Sequence, residues 1–503
     1  MTFKTNLILG LLIVVGLNAC VTAPSNDHTL KQSGNLSFDY GQDVEDLIAG
    51  MTIEEKVGQM TQINIDVISK GEIFNLEEPH ELDSIKLDSA INYYYVGSVL
   101  NVGGHTYTRQ HWSEIITAIQ EKAIHEGNGI PIIYGIDAIH GVNYTVGATL
   151  FPQEIGQAAT WNPLLVEQGA AITAYECRAS GIPWNFSPVL DLARTPLWSR
   201  FFETYGEDVY LAKTMSAACI SGYQGNDASD PEKVAACMKH FLGYSMPLSG
   251  KDRTPAWIPE RQIREYFLPT FQTAIDHGAL TVMINSGEIN GIPVHADPDI
   301  LTTLLREELG FKGLVVTDWE DIIKLHRDHK VAKDMDDAVK ISVMAGIDMS
   351  MTPNDYSFNR SLIKLVKQGE VPESRLDESC RRILWVKKQL GLLQNPVPDF
   401  ADYDLFGSES HSSAALNTVL ESMTLLKNEG NLLPLDSTAN ILVCGPAAHS
   451  LNVLNGAWTH TWQGLDETYN TQGASTIYEA VVEYSTGSVD YALGADLEEV
   501  HDI

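Results

Sequence analysis

Positive charge is what this chain has least of. Its 503 residues carry 33 Lys and Arg against 66 Asp and Glu, a formal charge of −33. Phosphate backbones are held by clustered Lys and Arg, so nucleic acid is excluded as a partner. The acids are not gathered into a block, so the charge is that of a solvated acidic surface. Cysteine is also scarce. The six are Cys20, Cys177, Cys219, Cys237, Cys380 and Cys444. Their scatter offers neither metal-ligand spacing nor a disulfide framework. The last five sit among apolar residues and read as core. Long hydrophobic runs are lacking too: Leu7 to Leu17 is too short to span a bilayer comfortably. With 44% hydrophobic and 20% charged residues the chain is globular, and its length allows two or three domains.

The N-terminus reads as a targeting segment. Lys4 supplies a positive start, the apolar run follows, and Leu17-Asn18-Ala19-Cys20 resembles a bacterial lipoprotein cleavage box. Residues 1–19 are then a signal peptide, with Cys20 lipidated as the first residue of the mature chain. Residues 20–40, polar and rich in Ser and Asn, read as a flexible tether. The expected address is periplasmic, or outer-membrane or cell-surface through a lipid anchor. An ordinary secretory signal with a chance cysteine is the alternative.

From residue 41 to 393 the chain alternates helix and strand patterns. Thr52-Ile53-Glu54-Glu55 is a capping box that opens a helix. Apolar, β-branched runs then read as strands at Gln62 to Val67, Val96 to Val102, Ile130 to Ile136, Ile182 to Leu190, Val234 to Met238, Leu280 to Ile284, Leu314 to Thr317 and Ala345 to Met351. Helical stretches separate them, among them Trp112 to His125, Leu164 to Arg178, Glu260 to His277 and Glu373 to Leu392. About eight such units imply a (β/α)₈ TIM-like barrel. Residues 394–411 read as a linker. Residues 412–503 read as the start of an α/β sandwich, with helix at Ala414 to Lys427, strand at Ile441 to Cys444, helix at Ser475 to Tyr484 and strand at Val489 to Leu493.

Several strands end on polar residues: Asp137, Asp191, Lys239-His240, Asn285 and Asp318. In a barrel of this kind the C-terminal strand ends carry the chemistry. Asp318 is followed at once by Trp319. A carboxylate beside a flat indole suits a sugar-cleaving site, although an Asp there could also simply cap the helix that starts near Glu320.

Five stretches recur in order: Ile133 to Gly141, Ala235 to Phe241, Gly313 to Trp319, Lys427-Asn428-Glu429 with Leu432-Leu433-Pro434-Leu435, and Trp458 to Gly464. Together they make the chain resemble the family 3 glycoside hydrolases, in the branch of exo-acting β-glucosidases and β-glucan glucohydrolases. The resemblance implies a retaining two-step reaction on a β-linked oligosaccharide or glucan. It makes Asp318 the nucleophile and Asp137, Arg194, Lys239 and His240 the residues that bind the glucosyl unit. Trp319 and Trp462 would sandwich a sugar. Lys239 and Arg194 are the expected cationic neighbours of Asp318. No metal or organic cofactor is implied.

Some features depart from that family. Ser286 stands where some relatives have a substrate-contacting Tyr. The loop Gly243 to Thr254 lacks the Asp-His dyad of the single-domain N-acetylglucosaminidases. The acid/base Glu of the two-domain branch lies downstream of the tryptophan pair, and the expectation is that it is not in this chain. Glu288, Glu498 and Glu499 are the remaining candidates. A β-xylosidase of the same family, a non-catalytic sugar-binding surface lipoprotein and an aldolase-type barrel with Lys239 as Schiff-base lysine are the other readings.

Overall fold

The computed structural model describes residues 38–471 and 473–494. Cys20, Glu498 and Glu499 lie outside the described residues. From Tyr40 onward the chain forms one compact unit.

Eight parallel strands form the central sheet: β1 (Thr61–Asn64), β2 (Ser98–Leu100), β3 (Ile133–Ile136), β4 (Trp184–Asn185), β5 (Ala235–Phe241), β6 (Thr281–Ile284), β7 (Leu314–Val316) and β8 (Ser350–Met351). Neighbours follow chain order, and β8 pairs with β1. Between β7 and β8 the circle is closed by Val316 opposite Met349, with the Thr317 N–H donating to Met349 O at 3.1 Å. The result is a (β/α)₈ TIM-like barrel. Every residue of β5 is buried, as expected of a strand covered on both sides.

Local chemistry sets the elements. The Thr52 hydroxyl accepts the Glu55 N–H while the Glu55 carboxylate accepts the Thr52 N–H, so the capping box forms as read. Thr108, Asn162 and Asp208 cap the helices Arg109–His125, Pro163–Ala179 and Val209–Gln224. Gly313 permits the approach of β7 to β6: a Cβ there would lie 1.9 Å from Leu280 O.

The strands are shorter than the apolar runs. The run from Ile182 to Leu190 gives only Trp184–Asn185, because Pro183 and Pro188 have no N–H for a ladder. The run after Gln62 turns into a short helix at Ile65–Ile68. In contrast β5 continues through Lys239 and His240, so these two are strand residues rather than loop residues.

After the barrel, the segment read as a linker is held closely. The Gly407 N–H donates to Glu176 Oε1 at 3.0 Å, and the helix Glu409–Ser422 begins before the expected boundary. β9 (Ile441–Cys444) and β10 (Val489–Ala492) pair in parallel, with the helix Ile477–Tyr484 between them. Here Cys444 is exposed, which corrects its reading as core, while Cys177, Cys219, Cys237 and Cys380 are buried as free thiols.

Asp348 precedes β8 and does not stand at a strand's C-terminal end. It is fully buried and accepts from Arg306 at 2.7 Å, Arg382 at 2.8 Å, Arg375 at 3.4 Å, Ser379 at 3.0 Å and the Val315 N–H at 3.1 Å. Burial alone would raise its pKa, but Arg382, Arg306 and Arg375 reverse that and hold it low. Its folded pKa is thus depressed. The stability it contributes is present above the ordinary carboxyl pKa of about 4 and is lost as pH falls through the folded value. Asp348→Asn leaves three arginines facing a neutral amide and should cost about 3–5 kcal/mol at pH 7. Urea unfolding at pH 7 and pH 4 measures this. The loss should be largest at pH 7, and equal midpoints for variant and parent there would refute a stabilising role.

Candidate active site

The site lies where β3, β5 and β7 end. Asp137 follows β3 directly, Lys239 and His240 lie near the end of β5, and Asp318 stands two residues beyond β7. Parallel strands of one barrel all point their C-terminal ends to the same face, which is why residues so distant in sequence meet.

Asp318 is 7% exposed. Its Oδ1 accepts from Arg253 Nη2 at 3.2 Å, and its Oδ2 accepts from the Ser286 hydroxyl at 2.9 Å. His240 Nε2 lies 3.8 Å from Oδ2. Burial would push the carboxyl pKa up. Arg253 above all, then Arg200 and Lys324, outweigh burial and hold it well below the usual range. His240 is itself pushed well below its ordinary pKa, by burial and then by Arg200. It is therefore neutral, and the charge that keeps Asp318 ionised comes from Arg253 and the other basic side chains. The helix after Asp318 runs Asp321–Arg327 and receives no side-chain cap. Asp318 is thus tied to side chains of the site and not to a helix end.

Arg253 is the hub. Besides Asp318, its Nη1 donates to Ser286 Oγ at 2.9 Å and Asp321 Oδ1 at 3.2 Å. Ser286 Oγ is also 2.7 Å from Asp321 Oδ2, so one hydroxyl stands between two carboxylates. Lys324 binds Asp321 at 2.7 Å. The departure noted at Ser286 is thus a positioning group for Asp318.

Lys239 Nζ is buried and binds Asp137 Oδ1 at 2.6 Å, with the Trp458 ring 5.6 Å away. Asn101 donates to Asp137 Oδ2 at 2.8 Å. Lys239 is therefore occupied by Asp137, and it is not the cation beside Asp318. A lysine whose Nζ is held by a carboxylate in this way is not placed as a free Schiff-base nucleophile. Asp191, noted at a strand end, accepts from the backbone N–H and Nδ1 of His240 at 2.9 and 2.8 Å, and burial pushes its pKa up to about 7. Arg200 Nη1 lies 3.2 Å from His240 Nε2. A guanidinium only donates, so Nε2 carries the lone pair and Nδ1 the proton.

Arg194 is not brought to this group. It is exposed, with its guanidinium 4.5 Å from the Tyr266 ring centroid. The cation expected from that loop comes six residues later, from Arg200, which pairs with Glu203 at 2.6 Å. Trp319 is half-buried, and its ring neighbour is Phe74, at 6.3 Å between centroids. Trp462 is 55% exposed, and its carbonyl accepts the Trp458 N–H at 2.9 Å. It is Trp458 that reaches Lys239. The loop carrying both is docked on the barrel: Tyr144 N–H donates to His460 O at 2.7 Å and Gln153 Nε2 to Ala457 O at 2.9 Å. Arg253, Arg200, Asp321, Phe74 and Trp458 were not singled out from sequence. For Arg200 the i, i+3 pairing with Glu203 was a usable signal. For Arg253 and Phe74, each at a loop position with positive φ, there was none.

Glu288 is engaged elsewhere, 2.6 Å from His329 Nδ1.

Known proteins resemble this chain in sequence and in fold. The profile described as "Glycosyl hydrolase family 3 N terminal domain" matches residues 52–386. A lysosomal beta glucosidase of Dictyostelium discoideum is 44% identical over 479 residues, covering 91% of this chain and 58% of the relative. A putative beta-xylosidase of Formosa agariphila is 33% identical over 433 residues, covering 83% and 55%. Among solved structures, the exo-1,3/1,4-beta-glucanase of a Pseudoalteromonas species superposes with a TM-score of 0.78 at 30% identity, covering 90% of this chain and 56% of that one. The chain thus spans little more than half the length of the curated relatives it matches. Across that span it is a member of glycosyl hydrolase family 3, and residues 52–386 are the family's N-terminal domain.

Proposed function

We propose that this chain carries the nucleophile and sugar-binding residues of a retaining, exo-acting β-glycosidase that releases glucose from the non-reducing end of β-glucosides or β-glucans. The observation that carries the reading is a buried carboxylate, Asp318, kept ionised by Arg253 and Ser286 beside the Asp137–Lys239 pair. The names of the beta glucosidase relative and the exo-glucanase neighbour support the substrate class and the exo mode. A Dictyostelium lysosomal relative is also compatible with export of this chain.

In the first step an Asp318 oxygen forms a bond to the anomeric carbon as the bond to the leaving oxygen breaks. In the second, water attacks that carbon and Asp318 leaves, so the configuration is retained. Asp137, Lys239 and His240 offer charged and neutral partners for ring hydroxyls, and Arg200 and Asp191 fix the His240 tautomer. Trp319 and Phe74 offer apolar faces at the rim. The nearby acids are committed: Asp321 to Lys324, Arg253 and Ser286, Glu288 to His329, and Asp191 to His240. We therefore place the proton donor outside the described residues. The xylosidase-named relative keeps β-xylosides as a second substrate class, and the ratio of kcat/KM for aryl glucoside and aryl xyloside decides between them.

Asp318→Asn should lower turnover of an aryl β-glucoside at least about 10³-fold, as loss of a covalent-step group does. A 2-fluoroglucoside should label the Asp318 peptide. Labelling at Glu288 would overturn the assignment, and no labelling with intact sugar binding would favour a non-catalytic binding protein.

Without a general acid, a glycosidase still cleaves substrates whose leaving group needs no proton. On the reading that neither Glu498 nor Glu499 is that donor, the 503-residue chain should release dinitrophenol slowly from its β-glucoside and leave cellobiose and laminaribiose intact. Rapid cleavage of either disaccharide, abolished by Glu288→Gln, would place both carboxylates in the barrel.

For the exported form we propose lipid attachment at Cys20. Cys20→Ala should move the protein from the membrane fraction to the soluble one, since multiple acyl chains anchor stably. Identical fractionation of parent and variant would contradict it.

A further inference from the structure

Beyond the strand ends, the segment leaving β1 rises over the catalytic face of the barrel. It folds as a small hairpin, Gly71–Glu72 against Asn75–Leu76, and returns where Leu82 bridges Ser69. Phe74 sits at the tip with φ 62°, and its N–H donates to the buried Asp66 Oδ2 at 2.9 Å. At the base of this segment Glu78 and His80 meet His105, which lies on the loop after β2.

The three side chains converge. One ligand atom from each lies within 4.8 Å of the other two. His80 Nε2 is 3.3 Å, and His105 Nδ1 3.7 Å, from the same Glu78 Oε1. A tetrahedral zinc ion with bonds of about 2.0–2.1 Å spaces its ligand atoms roughly 3.3–3.4 Å apart. The two edges to Glu78 are close to that spacing, and the imidazole rings, 3.8 Å apart between centroids, would turn apart to share the ion.

Two further observations point to a ligand. His80 is 6% exposed, and its Nε2 is a buried nitrogen with no hydrogen-bond partner, although Glu78 is near. Its other nitrogen, Nδ1, is 2.8 Å from the Tyr107 hydroxyl. A proton on Nδ1 donated to that oxygen leaves the Nε2 lone pair unshared, with Glu78 Oε1 3.3 Å from that nitrogen. Metal-binding imidazoles are oriented in this way by the partner of their second nitrogen. The ordinary alternative is a His–Glu ion pair in which Nε2–H donates to the carboxylate, but the off-axis approach at 3.3 Å does not make that bond.

We propose that Glu78, His80 and His105 form a binding site for one divalent transition-metal ion of the zinc class. Two imidazoles and one carboxylate suit zinc, whereas calcium and magnesium prefer oxygen ligands throughout. Glu78 and His105 reach solvent, which gives the ion an entry and leaves a coordination position for water. The bound ion joins the base of the hairpin to the loop after β2. It thereby steadies Phe74 beside Trp319, at the mouth of the site. The proposal does not depend on the glycosidase reading, because its readout is metal binding. It also modifies the expectation that the chain binds no metal. That expectation rested on the scatter of the cysteines and on what the family resemblance implies, whereas these ligands are two histidines and a glutamate from two separate loops.

The test uses the full chain freed of metal by chelation, then titrated with Zn²⁺ in competition with a chromogenic chelator. One high-affinity ion per chain is expected. Glu78→Gln and His105→Gln, both partly solvent-facing and so least disruptive, should each weaken binding by at least about tenfold. His125→Gln, an exposed histidine elsewhere, should leave it unchanged. Co²⁺ in place of Zn²⁺ should give the visible absorption of a tetrahedral site in the parent and lose it in His105→Gln. Zinc should raise the Tm of the parent and not of the two ligand variants. Binding of equal strength in parent and both variants, or no binding tighter than that of His105→Gln, would overturn the site. Tight Ca²⁺ binding without Zn²⁺ binding would overturn the metal class.

Discussion

A carboxylate with little access to water has to remain charged at Asp318, and much of the surrounding structure answers that requirement. Taking an ion out of water costs several kcal/mol even after relaxation. A cation at 3.2 Å returns roughly 5 kcal/mol at an effective dielectric of about 20. Arg253 is itself partly solvated, so it roughly balances the cost and leaves little surplus. The Ser286 hydroxyl and the more distant Arg200 and Lys324 supply the rest. This is why the cluster extends well beyond Asp318 itself. Asp321 keeps Arg253 and Ser286 in place, Lys324 neutralises Asp321, and Asp191 with Arg200 fixes His240 in one tautomer.

The parts legible from sequence are those that strand geometry dictates. Asp137, Lys239, His240 and Asp318 all lie at or near strand ends, and a parallel barrel brings such ends together whatever the loops do. The strands themselves were overestimated because apolar runs record burial, whereas pairing needs N–H groups. Pro183 and Pro188 shorten one run to Trp184–Asn185, and the helix at Ile65–Ile68 shortens another. The cationic neighbours of Asp318 were misplaced for the opposite reason. Arg194 and Arg200 share one irregular loop, and no period says which of them turns inward. Only the fold shows that Arg194 lies over Tyr266 while Arg200 reaches His240.

Two buried aspartates, Asp191 and Asp348, serve different ends. Asp191 follows β4 on the catalytic face and orients an imidazole. Asp348 precedes β8 and gathers Arg306, Arg375 and Arg382, thereby fastening the helices Asp299–Glu308 and Glu373–Gln389 to the last strands. Position along a strand separates the two roles: in a barrel, chemistry collects where strands end and cross-bracing where they begin.

The docked loop that carries Trp458 has a thermodynamic consequence. It is held on the barrel by the Tyr144–His460 and Gln153–Ala457 hydrogen bonds, and it places an indole over Lys239. A sugar that touches both Trp458 and the Asp137–Lys239 pair binds only the docked arrangement. By mass action it must then favour that arrangement over any undocked one, in proportion to its affinity for the two. Such a ligand would act as a fastener between the barrel and the chain that follows it, and its release would relax the same joint.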